Sequence, residues 1–91
     1  METDKNLARK FQVMSDPKRL QILCYIFNSN NKCVSDIAGE LGMSVAITSH
    51  HLKSLARAGF LEPVRNGKHI CYKLSKSKIT HDLKKFVCKY Q

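Results

Sequence analysis

The stretch Val34-Ser35-Asp36-Ile37-Ala38-Gly39-Glu40-Leu41-Gly42-Met43-Ser44-Val45-Ala46-Ile47-Thr48-Ser49-His50-His51-Leu52-Lys53-Ser54-Leu55-Ala56-Arg57-Ala58-Gly59 decides the fold. It reads as two helices meeting at a tight turn. Val34, Ile37, Ala38 and Leu41 recur at three- and four-residue spacing, the period of one buried helical face. Gly42 follows, where a helix commonly ends on a left-handed residue that costs glycine little. Ser44 then suits the N-cap of a second helix over about 44–58, closed by Gly59. Two helices joined by a turn of about three residues containing glycine form a helix-turn-helix.

Toward the N-terminus, Leu7, Phe11 and Met14 predict an amphipathic helix over about 4–14. Asp16 is an N-cap candidate and Pro17 suits the first helical position, where its missing N–H costs nothing. The helix they start, Lys18 to about Asn28, carries Leu20, Ile22, Leu23, Ile26 and Phe27 and belongs at the centre of the core. Beyond Gly59, residues 60–74 predict a β-hairpin in which Ile70, Tyr72 and Leu74 alternate inward. Asn66-Gly67 favours a type I′ turn, and Pro63 suits an edge strand. A last helix over about 76–90 places Ile79, Leu83, Phe86, Val87 and Tyr90 on one face. The expected fold is mainly α with a β-hairpin, in the order α-α-α-α-β-β-α: one winged helix-turn-helix domain over residues 1–91.

Bulk composition narrows the function. A chain of 91 residues has room for one core, and a domain this small gains burial by dimerising. Hydrophobic residues at 43% with 25% charged exclude a disordered tail. Sixteen Lys plus Arg against seven Asp plus Glu give a net charge of +9, which suits a polyanionic partner. No long apolar run or signal-type segment occurs, so no membrane partner and a cytoplasmic location are expected. Glycine-rich nucleotide loops, nucleophile elbows and paired acids are missing, which argues against an enzyme, and no cofactor is expected. Cys24, Cys33, Cys71 and Cys88 are too few and too spread for a disulfide scaffold, and no Cys-x-x-Cys spacing suggests structural zinc. In a reducing compartment they are packing residues or sensors, and Cys71 reads as incidental.

The helix over 44–58 divides cleanly at 100° per residue. Ile47, Thr48, His51, Leu52, Leu55 and Ala58 form the expected buried side. Ala46, Ser49, His50, Lys53 and Arg57 face outward, with Val45 at the border. Small and hydrogen-bonding groups near the helix start, then cations, suit a DNA major groove. Ser44, at the helix start, is grouped with the DNA-binding residues. Val45, Ala46, Ser49 and His50 are assigned to base edges, and Lys53 and Arg57 to phosphates. Arg65, Lys68 and His69 surround the hairpin tip and suit flanking phosphates or a minor groove. His50 and His51 point about 100° apart and so cannot chelate one ion, and no metal site is expected. An architectural protein that coats DNA without a discrete site remains an alternative reading.

Four stretches resemble the ArsR/SmtB family of winged-helix repressors: Met14 to Leu23, Cys33 to Ala38, Ser44 to Leu55, and Gly59 to Leu74. The resemblance implies a homodimer through the first and last helices, bound to an imperfect palindrome and released by an inducer. Members sensing arsenite or cadmium carry Cys-Val-Cys in the third helix, whereas here Ser35 stands in the second cysteine's place. Cys33 alone keeps a metalloid or soft-metal reading open. The zinc-type site in the last helix is not matched, since Lys76 and Lys78 stand at its start and His81 and Asp82 stand alone. Cys24 and Cys88 are placed as in the HlyU, BigR and SqrR type, which implies release by oxidants or reactive sulfur acting on that pair. A protein without an inducer is the third alternative.

Overall fold

The computed structural model describes residues 5–29 and 31–90, so the expected helix start at residue 4 lies outside the described residues. Helix α1, Lys5–Met14, leads into α2, Pro17–Phe27, through a tight corner. The Asp16 side chain caps α2, accepting from the Lys18 N–H at 2.8 Å and the Arg19 N–H at 3.1 Å. Arg19 Nε returns to the Val13 carbonyl at 2.9 Å, fixing the angle between the two helices. Ile22, Leu23, Ile26 and Phe27 are buried, and α2 packs against α1 and every later helix. Its apolar density is explained by that central place.

A two-residue strand, β1 (Lys32–Cys33), precedes α3 (Val34–Leu41). Gly42 ends α3 with φ 66°, as the sequence pattern requires, and Ser44 caps α4 (Val45–Arg57). Gly59, at φ 90°, then closes a reciprocal turn. Its N–H reaches the Ala56 carbonyl at 3.0 Å while the Phe60 N–H reaches that of Leu55, also at 3.0 Å. This turn drives Phe60 into the core, where it is fully buried.

The wing is β2 (Leu61–Asn66) and β3 (His69–Leu74). The sheet is antiparallel, in the order β1-β3-β2, so β3 is central and β2, with Pro63, lies at an edge. Two expectations change here. Asn66 pairs with His69, which leaves Gly67-Lys68, rather than Asn66-Gly67, as the two-residue loop. Gly67 has φ 63° and no described non-glycine residue has positive φ, so the turn is the II′ form with glycine first. The inward alternation also shifts. β3 is covered on both sides, so Cys71 and Tyr72 are both buried while Ile70 is exposed near the tip.

Ser77 caps α5 (Lys78–Lys89), accepting from the Thr80 N–H at 3.3 Å. Buried Thr80 shares hydroxyl contacts with Ser75 and Ser77 and anchors α5 beside Gly59. The apolar face of α5 divides. Leu83 is buried and Ile79 and Val87 pack at the core margin, but Phe86 and Tyr90 are 61% and 71% exposed.

Candidate nucleic-acid interface

Helix α4 is held from beneath by Thr48, Leu52 and Leu55, all fully buried. Ser44 Oγ accepts from the Ile47 N–H at 3.1 Å, and Thr48 Oγ1 donates back to the Ser44 carbonyl at 2.8 Å. These bonds stiffen the first turn, the part of a recognition helix that meets bases. On the opposite side Ala46, His50, Lys53 and Arg57 form one exposed stripe, with Ser49 half-buried at its flank. The first turn also exposes Val45.

Ile47 departs from the expected buried side: it is 51% exposed. The buried strip Thr48, Leu52, Leu55 is centred roughly 110° around the helix from Ile47 at 100° per residue. The first turn also projects beyond the core. Ile47 and Val45 are thus both exposed apolar residues of the first turn, about 160° apart around the helix axis.

His51 lies on the inner side, half-buried. Its Nδ1 is buried and meets no partner among the described residues. Desolvation lowers its pKa, and the cations Arg19, Lys18 and His50 push the same way, while Asp16 opposes them. A neutral imidazole is favoured, so His51 behaves as a packing residue behind the stripe.

The wing tip exposes Arg65, Lys68 and His69 together. Farther down, Lys73 lies opposite Glu62 in register and pairs with it at 3.7 Å, so that carboxylate is matched within the hairpin. A cleft of about 260 Å³ separates wing from helix, bounded by Val45 and Ser49 on one side and by Lys68, His69 and Ile70 on the other. Of the residues assigned to base edges and to the wing tip, Val45, Ser49, Lys68 and His69 line this one cleft.

Cys33 lies on the floor of the same cleft. It is the N-cap residue of α3 and the register partner of Cys71, and the two form a disulfide. This pairing overturns the reading of Cys71 as incidental. While bridged, Cys33 has no thiolate to offer a metalloid. The other two sit half-buried on α2 and α5, which pack together. Cys24 lines an apolar groove of about 410 Å³ with Met14, Leu20, Phe86, Val87 and Tyr90, while Cys88 packs at the core margin. Among the described residues no three His, Cys, Asp or Glu side chains converge to hold a metal, and no helix is long and apolar enough to cross a membrane.

The family model for bacterial regulatory proteins of the arsR family matches residues 16–62. The cadmium resistance transcriptional regulatory protein CadC of Listeria innocua is 39% identical over 69 residues, covering 76% of this chain. The chain spans 58% of the length of that CadC. An arsenical resistance operon repressor of Staphylococcus xylosus is 32% identical over 71 residues, covering 78% of this chain and 67% of the repressor. Among solved structures, HlyU of Vibrio cholerae superposes with a TM-score of 0.83 at 26% identity, covering 97% of each chain.

Proposed function

The chain belongs to the bacterial ArsR family of regulatory proteins, and we propose that it is a transcriptional repressor that binds double-stranded DNA as a homodimer. One observation carries this reading: α4, which exposes the Ala46, His50, Lys53, Arg57 stripe, lines one cleft through Val45 and Ser49 with Lys68 and His69 of the cationic wing tip. The stripe enters a major groove, and the tip reaches the flanking backbone. A net charge of +9 draws the protein to DNA, and the base-facing residues select a site.

Dimerisation is supported by the apolar surface of α1 and α5. Phe11 is 54% exposed, and Phe86 and Tyr90, with rings 5.2 Å apart, border the groove that Met14, Leu20 and Cys24 line. A second copy laid on this groove buries Phe86 and Tyr90. Two-fold symmetry then sets two half-sites of an imperfect palindrome about one helical turn apart. Release is proposed to be thiol-linked. The packing of α2 on α5 supports Cys24 and Cys88 as a pair that oxidants or reactive sulfur modify.

Footprinting on genomic fragments, with sizing of the complex, tests the reading. A discrete palindromic footprint with two protomers is expected. Uniform coating of every duplex overturns it in favour of an architectural role.

A further inference from the structure

We propose that Cys33 and Cys71 are a redox site that clamps the wing to the helix-turn-helix, and that reducing it weakens DNA binding. The inference rests on the DNA-binding reading above. Cys33 is the last residue before α3, and α3 packs on the recognition helix α4. Cys71 lies on the central strand of the wing, two residues from His69 and three from Lys68. The bond between them thus joins the two halves of the surface at the floor of the cleft that separates them.

Apart from this bond, the wing meets the start of α3 through a ladder only two residues long, Lys32 with Tyr72 and Cys33 with Cys71. So short a ladder fixes little by itself, and the packing of β2 on α4 and of β3 on α3, with Leu61 and Tyr72 in the core, holds the base of the wing rather than its tip. The clamp adds a covalent tie at Cys71, nearer the tip than Tyr72 and Leu61, and so restricts how Lys68 and His69 move relative to Val45 and Ser49. Preorganised binding surfaces lose less freedom on association, so the bridged form binds more tightly.

The chemistry is asymmetric. Cys71 is only 3% exposed, whereas Cys33 is half-buried and lines the open cleft. A reducing thiolate attacks Cys33 Sγ, forming a mixed disulfide and expelling the Cys71 thiolate, which takes up a proton. A second thiol then displaces the first from Cys33, leaving two protein thiols and one oxidised dithiol. In reverse, the two thiols lose two protons and two electrons to a peroxide, which is reduced to water, or to a small disulfide, which is reduced to two thiols.

The test compares affinity for the footprinted duplex in the bridged form and after dithiothreitol. It is repeated in the Cys24→Ser/Cys88→Ser protein, so that only this pair responds. Roughly tenfold weaker binding on reduction is expected, with Cys33→Ser matching the reduced protein and ignoring dithiothreitol. Because linkage is reciprocal, saturating DNA must also make each of the dimer's two bridges harder to reduce, by about 15 mV for a tenfold effect shared between them. Equal affinity in both forms with an unmoved midpoint overturns the clamp and leaves the DNA-binding reading standing. Tighter binding on reduction overturns it too. If neither form binds any duplex, the function proposed above fails and the clamp with it.

Discussion

Lys68 stands at the second position of the wing turn, exposed, with no acidic partner in the hairpin, since Glu62 is taken up by Lys73. Replacing it by Gln removes one phosphate contact per protomer and so two per dimer. Each contact contributes about 0.9 to the slope of log affinity against log salt, so the slope should flatten by about 1.8. Between 50 and 200 mM salt, a fourfold change, the advantage of the unaltered protein over Lys68→Gln should then shrink about twelvefold. Fluorescence anisotropy with the footprinted duplex and a scrambled one of equal length measures this at four or five salt concentrations. The loss should be equal on both duplexes, because a phosphate contact carries no sequence information. Parallel salt plots would remove the wing from the interface. A flattening of about 0.9 instead of 1.8 would refute a symmetric dimer.

Other outcomes are expected from the same geometry. His50→Ala should lose about 1–3 kcal/mol on the specific duplex and nothing on the scrambled one, read as the ratio of the two dissociation constants. Leu52→Ala, at a fully buried position beneath the recognition helix, should cost about 2–5 kcal/mol in urea unfolding with an unchanged m-value. Asp16→Ala should cost about 1 kcal/mol through loss of the α2 cap. Backbone N–H bonds, that of Arg19 foremost, hold the Asp16 pKa below its ordinary value, with the Arg19 charge also lowering it. That stabilisation is present above the unfolded carboxylate range and fades as pH falls through the lowered folded value. The gap in melting temperature between Asp16→Ala and the unaltered protein should therefore stay constant from about pH 5 to 7 and close in acid. Reducing the Cys33–Cys71 bridge frees a loop whose ends are 38 residues apart, worth about 4 kcal/mol by chain entropy, and calorimetry with and without reductant should show the loss.

The helical part of the fold was legible because its signals are local. Asp16-Pro17, Gly42, Ser44 and Gly59 each act within one turn, and each stands where its capping or turning chemistry places it. The outward stripe of α4 was legible for the same reason, since four residues at helical spacing share a side wherever the helix packs. Ile47 was misread because periodicity assumes a core along the whole helix, and the first turn runs past it. The turn was misassigned because Asn-Gly and Gly-Lys are both sound hairpin loops, and strand register chose between them. β1 left no pattern at all: two residues cannot show alternation. With β1 unseen, nothing brought Cys33 opposite Cys71, and the spacing of 38 residues carries no motif.

The strand order β1-β3-β2 has a consequence for how the chain assembles. Its helices and the β2–β3 hairpin form from near neighbours, whose contacts close small loops at little entropic cost. β1 differs, because its partner β3 lies beyond α3, α4 and β2 in the chain. As the polypeptide is made, the helix-turn-helix is complete at residue 57, before any of β3 has been synthesised. Lys32 and Cys33 must wait for Tyr72 and Cys71. The β1–β3 join thus closes late, as does the packing of α5, which follows β3 in the chain, on α2, and contacts that form after the rate-limiting step govern how fast a protein comes apart rather than how fast it folds.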